Sequence, residues 1–477
     1  MHTLIQLLGA LLFALGVCSA SLATTPATMP ETVARALANA GIAESHASIW
    51  VQQVDGAAPT LALNDRQAMN PASVMKLVTS FAALETLGPA HTWTTRVATH
   101  GLRAGQVLHG DLYLVGGGDP ILSYERLWKM LRKIREMGIT TIDGDIVLDG
   151  SALRLPEHDP YAFDGKGLRP YNSGPHGLLL HFSTLHLPLT PPASANLPIT
   201  VTPHPPLKGL AVQSTIRATS GACGIWYNGL DAALEPSPEG TKLVLAGTLP
   251  ISCGPREWAA SPLSAENFGV ALVAALWDEL GGHVSGRVRS GTTPAEAATL
   301  LTETSPALGE IVREMNKWSS NIIARQLLAV LGADSPASDA VAAGVAAATA
   351  RLASAGIPTD GLVIDNGSGL SRIARIRAAS LGKLLLTAWQ RPYMPEFIAS
   401  LPIAGIDGTA RGRLSTSPAN GYAHIKTGTI NDVRAMAGYV LDRNGRRHAV
   451  VMMVNDPAAS ASKDAQDALL EWIWQAR

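Results

Sequence analysis

The chain reads as an α+β protein in which one discontinuous domain is interrupted by an inserted β-rich region. Three observations carry that reading. The strand-like run "ASIWVQQV" (47–54) is followed by an apolar helix in "NPASVMKLVTSFAALETLG" (70–88). Between 100 and 262 the texture changes to short runs such as "GDLYLVGG" and "GDIVLDG", mixed with proline-rich loops such as "LTPPASANLP". From 263 onward helical periodicity returns, and the chain then passes through "AHIKTGTI" and "RAMAGYVLDRNGRRHAVVMMVND". The simplest arrangement joins 24–99 to 263–477 and places 100–262, as one or two small β-rich domains, between them.

Each element follows from local chemistry. Residues 1–23 have an apolar core from Leu4 to Val17 followed by small residues, as a secretory signal does, with cleavage expected near Ala20 or Ala23. The mature chain is therefore expected outside the cytoplasm. Cys223 and Cys253 are the cysteines left after cleavage, and an oxidising compartment favours a disulfide between them over two buried thiols. "AENFGVALVAALWDELGG" and "LGEIVREMNKWSSNIIARQLLAVLG" have helical spacing, and an alanine-rich helix covers 337–355. "RNGR" between two alternating apolar runs signals a hairpin. The last amphipathic stretch, "KDAQDALLEWIWQ", is short and acidic, which suits packing on a sheet better than membrane anchoring.

Composition narrows the functional classes. Apolar residues make up 47% and charged residues 16% of 477, which suits a folded core. The net charge of −1 provides no basic excess for nucleic acid or an anionic membrane surface. "GGGDP" lacks the glycine spacing of a dinucleotide site, and Pro120 stands where the phosphate-binding helix should begin. His176, His181 and His186, spaced by five, share no helix or strand face and read as structural histidines rather than metal ligands. No cofactor is expected.

Three short patterns carry chemistry: Ser73-Val74-Met75-Lys76, Ser319-Ser320-Asn321 and Lys426-Thr427-Gly428. A lone S-x-x-K means little, and this chain has two others, at Ser380 and Ser460. Ser380 reads as a helix N-cap and Ser460 as part of a small-residue loop. The Ser73 motif differs because its helix is apolar on almost every side, so Lys76 is expected to be buried. Spacing of three puts Lys76 on the same helix face as Ser73. A buried lysine near a second cation loses its proton far more readily than the ordinary value of about 10.4 allows.

Taken together, these motifs and the runs "LVGGGDPIL", "FDGKGLRPYNSGP", "DNGSGLSR" and "LPIAGIDGTARGRL" resemble the serine D-alanyl-D-alanine carboxypeptidases/endopeptidases, the low-molecular-mass class C penicillin-binding proteins. The resemblance implies a serine DD-peptidase/β-lactamase-like domain, with an antiparallel sheet flanked by helices and a helical subdomain. It implies an enzyme of the periplasm, with peptidoglycan stem peptides as substrate and β-lactams as covalent inhibitors. Ser73 would form the acyl-enzyme, Lys76 would accept its proton, and Ser319 would relay a proton between Lys76 and the leaving amine. Asn321 would orient the substrate amide, Lys426 and Thr427 would bind the terminal carboxylate, and Gly428 would leave room for substrate backbone. The backbone N–H groups of Ser73 and Thr429 would hold the oxyanion. Asp164 would meet the amine of a diamino-acid side chain, or else simply form a turn before Gly165. Ser320 departs from the acidic or amide residue more often found there. A β-lactamase and a non-catalytic cell-wall binding protein are the competing expectations; the inserted region and the three intact motifs argue against them.

Overall fold

The computed structural model describes residues 28–238, 240–336 and 339–476. The expected signal segment, 1–23, lies outside the described residues. A five-stranded antiparallel sheet forms the centre of one part, in the order Leu61–Leu63, Ala47–Gln53, Arg447–Asn455, Val433–Leu441, Ala423–Ile430. The N-terminal hairpin thus joins the C-terminal strands through the pairing of Ala47–Gln53 with Arg447–Asn455. The "RNGR" segment links the strands Val433–Leu441 and Arg447–Asn455, and Gly445 supplies the positive φ of 81° that the turn needs.

Period-two alternation explains why this sheet is covered on both faces. In Arg447–Asn455, Val450, Met452 and Val454 enter the core formed with the helices Glu31–Asn39 and Lys463–Trp474. Val451 and Met453 point the other way, into a core shared with Trp50, Tyr439 and the helix Ala378–Trp389. The final helix therefore packs on the sheet. Ser380 proves to be a buried residue inside the first turn of Ala378–Trp389, one of the places where an N-cap was expected and a core position is found. Behind the same core lie Lys76–Leu87, Leu308–Trp318, Asn321–Leu331 and Ala340–Ser354.

The β-rich middle region extends further than its texture implied. Thr94–Thr99 pairs with both Leu112–Val115 and Ala298–Thr304, and Val288–Ser290 pairs with Ile146–Asp149. The helix Ala265–Glu279 buries Phe268, Leu272, Val273, Leu276 and Trp277 in the core of this region. The boundaries at 100 and 262 are therefore too narrow: strands up to 304 belong with the middle sheets. Periodicity reveals that a helix is buried on one face, but it cannot say against what. Cys223 and Cys253 are bonded to one another in this region. Among the described residues no helix is long and apolar enough to cross a membrane.

Candidate active site

Ser73 lies in a single 3-10 turn, Ala72–Met75, that runs straight into the helix Lys76–Leu87. The turn is held to the sheet by paired asparagines. Asn70 N–H donates to Asn455 Oδ1 (2.8 Å), Asn455 Nδ2 donates back to Asn70 O (3.0 Å), and Ala72 N–H donates to Asn70 Oδ1 (2.9 Å). That bracing keeps Ala72 at a φ of 45°, which an alanine otherwise avoids. The strand Ala423–Ile430 lies so close that a Cβ on Gly428 would stand 2.7 Å from Ser73 N and 2.8 Å from Pro71 O. Gly428 thus makes room for the serine-bearing turn, where the sequence reading had assigned that space to substrate.

Lys76 is fully buried, and its Nζ lies 3.0 Å from Ser73 Oγ, 2.7 Å from Asn321 Oδ1 and 2.6 Å from Ser368 O. Among the described residues it has no carboxylate partner. Burial above all, then the positive charges of Lys426 and Arg325, hold its pKa well below the usual lysine range. The neutral amine has two N–H bonds and one lone pair. Asn321 Oδ1 and Ser368 O can only accept, so they take the two N–H bonds. The lone pair is left for the Ser73 hydroxyl.

Ser319 ends the helix Leu308–Trp318 in the left-handed region (φ 58°), and Ser320 caps the next helix, Asn321–Leu331, by accepting from Ile323 N–H (3.4 Å). Ser320 thus has a capping role of its own beside Asn321, whose Nδ2 donates to Tyr171 O (3.3 Å). Asn321 Oδ1 holds Lys76, where the sequence reading expected the side chain to serve substrate alone.

Lys426 is also fully buried, and burial pushes its pKa down to about 7. Its Nζ donates to Ser319 Oγ (2.9 Å) and Thr427 O (2.7 Å). Ser319 is thus hydrogen-bonded to Lys426, where a link to Lys76 was expected, and Lys426 is fully buried and is not among the residues that line the cleft. The cleft itself, about 290 Å³, is lined by Ser73, Ser319, Thr427, Gly428, Thr429 and several further polar residues. Thr427 Oγ1 is 3.0 Å from Thr409 Oγ1.

Asp164 accepts from Lys166 N–H (3.1 Å), Asn172 Nδ2 (2.8 Å) and the Tyr171 hydroxyl (2.8 Å). Burial opposes its charge, but the bonds from Tyr171 and Asn172 prevail and keep its pKa low. Both oxygens serve the protein, which favours the turn reading over direct contact with a substrate amine. Tyr171 passes the effect on, since its carbonyl receives Asn321 and also Arg325 Nη1 (2.9 Å).

Sequence reasoning missed several residues. Arg325, buried inside an apolar helix, also donates to Ser173 O (2.7 Å) and adds its charge near Lys76. Asn316 bridges the hydroxyls of Ser80 (3.0 Å) and Ser400 (2.9 Å). Asp407 pairs with Lys317 at 2.6 Å, and Arg372 stacks over Phe163. A charged or amide side chain inside an apolar helix was the available signal for the first two.

Comparison with known proteins agrees with this geometry. The D-alanyl-D-alanine carboxypeptidase of Actinomadura sp. (strain R39) is 33% identical over 427 residues, covering 84% of this chain and 76% of that one. The crystal structure of penicillin binding protein 4 from Haemophilus influenzae superposes with a TM-score of 0.77 at 22% identity, over 94% of this chain and all of that one. A penicillin G-acylated predatory endopeptidase from Bdellovibrio bacteriovorus gives a TM-score of 0.51 at 16% identity, over 90% and 92% of the two chains. The profile of the D-Ala-D-Ala carboxypeptidase 3 (S13) family matches residues 29–476, and the chain belongs to that family of serine DD-peptidases.

Proposed function

We propose that Ser73 is the nucleophile of an exported, periplasmic DD-peptidase that cleaves D-Ala-D-Ala termini, D-Ala–diamino acid cross-links, or both. The Ser73 oxygen attacks the carbonyl carbon while its proton passes to the lone pair of Lys76. The N–H groups of Ser73 and Thr429 hold the oxyanion, each such donor typically worth a few kcal/mol. As the C–N bond breaks, the leaving amine takes the hydroxyl proton of Ser319, which Lys426 replaces. Water then attacks the ester, its proton passing through Ser319 to Lys426, and Ser73 leaves by taking back the proton held on Lys76, which restores both amines. A β-lactam enters by the same attack, but its leaving group stays tethered, so the adduct persists. The middle region and Asp164 act at a distance, Asp164 by setting Tyr171.

The observation that supports this reading best is the lone pair of a buried, counterion-free Lys76 directed at the Ser73 hydroxyl. Penicillin labelling followed by peptide mapping tests it. The expected outcome is a slowly released acyl adduct on Ser73, absent from Ser73→Ala, which should also lose hydrolysis of a D-Ala-D-Ala peptide. An adduct on another serine would refute the nucleophile assignment, and rapid turnover of penicillin would favour a β-lactamase.

A further inference from the structure

Resting on the reading of Ser73 as nucleophile, one task in the cleft has lost its expected residue. A substrate ending in D-alanine brings a carboxylate, and Lys426 is fully buried with its amine on Ser319 Oγ and Thr427 O. The lining of the cleft also includes two guanidinium groups, Arg413 and Arg434. Arg413 is already neutralised: it is buried, and its Nε and Nη2 both lie 2.6 Å from Asp467 Oδ1. Asp467 is shared further with Lys463 at 2.7 Å.

Arg434 is different. It stands directly opposite Thr429 in the hairpin, so the two side chains leave the same face of the sheet at neighbouring positions. Its Nη1 donates to a main-chain carbonyl, Ser460 O (2.6 Å), which steadies the side chain; Asp467 and Asp464 favour its charge from a distance without pairing with it. Among the described residues no carboxylate forms an ion pair with it. Beside it, Gln466 is fully buried and lines the cleft; its Oε1 accepts from Arg413, while its Nε2 has no partner among the described residues. A buried amide donor without an acceptor is costly unless a ligand supplies one.

We infer that Arg434 supplies the charge that recognises the substrate's terminal carboxylate, with Gln466 Nε2 and the hydroxyls of Thr427 and Thr429 as the surrounding donors. A guanidinium fits this task because its planar fork matches a carboxylate. Arg434 is then the residue by which this chain demands a free α-carboxylate next to the scissile bond, and Lys426 is left to proton traffic through Ser319.

The test compares kcat/KM for a diacetyl-L-Lys-D-Ala-D-Ala peptide with that for its C-terminal carboxamide, in the full-length enzyme, Arg434→Gln and Arg434→Lys. For Arg434→Gln the acid substrate should lose about 10- to 100-fold, mainly through KM, so that the acid-to-amide preference collapses. Arg434→Lys should keep part of that preference. An unchanged acid-to-amide ratio in Arg434→Gln would overturn the assignment, as would an equal loss on both substrates together with a lowered Tm. Penicillin mapping of the wild type separates this result from the nucleophile reading. If Ser73 is labelled and the ratio does not move, the carboxylate assignment alone fails; if Ser73 is not labelled, the foundation fails.

Discussion

Three lysines are buried among the described residues, and the fold treats them in two ways. Lys317 is paired with Asp407 at 2.6 Å, an ordinary solution to burying a charge. Lys76 and Lys426, which share the Ser73–Ser319 site, have no such partner; their contacts are hydroxyls, an amide oxygen and main-chain carbonyls. Lys317 lies two residues from Ser319, so a carboxylate could evidently be supplied in this neighbourhood. Burial pushes both Lys76 and Lys426 toward the neutral form, and no carboxylate is there to offset it, at some cost in stability. The comparison teaches that, among lysines that are all buried, the carboxylate partner is what separates a structural one from a reactive one.

The sharpest way to break that distinction is Lys76→Met. Removing a proton acceptor that acts as a unit with its nucleophile should lower the rate of acylation by penicillin about 10⁴-fold or more. Because a buried amine without a counterion is replaced by an apolar chain of similar length, Tm at neutral pH should be no lower than in the wild type. Near-normal acylation, followed by stopped-flow fluorescence or mass spectrometry, would mean that Ser73 loses its proton elsewhere.

Asp407→Asn makes the converse change, turning Lys317 into a lysine without a counterion. Asn keeps the oxygen that accepts from Ile403 N–H (2.8 Å) but removes the charge. Asp407 is partly exposed, so the loss should fall at or below the lower end of the range for broken buried pairs, about 3 kcal/mol, measured by urea denaturation. If the stability is unchanged, Lys317 tolerates isolation, and the contrast with Lys76 loses its force.

The third test concerns pH. Lys426 has a folded pKa of about 7, against about 10.4 for an unfolded lysine. Between those values the unfolded chain holds more protons, so wild-type stability should climb as pH rises from 7 toward 10. Lys426→Met removes this penalty, and should be more stable than the wild type by about 2 kcal/mol at pH 7. The advantage should shrink steadily toward pH 10. A difference that does not change with pH would show that Lys426 stays charged in the folded state, as a gripping cation would.

What could be read in the sequence divides along a related line. Ser73 and Lys76 were legible because a helix fixes their relation within four residues, and the "RNGR" hairpin was legible from the alternating apolar runs on either side of it. Lys426 was legible as a member of the site, but its direction was not. Whether its amine meets Ser319 or open cleft depends on how the strand Ala423–Ile430 crosses the break between two helices about 100 residues earlier. Arg325 and Arg434 were not legible, since nothing nearby in sequence shows which charges lack partners in three dimensions. The same gap explains the narrow boundaries of the middle region, where Thr94–Thr99 finds Ala298–Thr304 only through tertiary pairing.

The smallest expected effect belongs to Asp164, and it probes how far the isolation of Lys76 extends. The described path from its carboxylate to that amine runs through Tyr171 and then Asn321, two neutral groups. If this path transmits position and no charge, Asp164→Asn should reduce kcat/KM for a D-Ala-D-Ala peptide only about two- to fivefold, the worth of one weakened hydrogen bond. The acid limb of the pH–rate profile, set by deprotonation of the Lys76–Lys426 pair, should stay where it is. A limb that moves to lower pH would mean that the Asp164 charge reaches Lys76 and holds its proton more tightly. Lys76 would then have a counterion after all, at longer range than Lys317, and the two classes of buried lysine would differ only in degree.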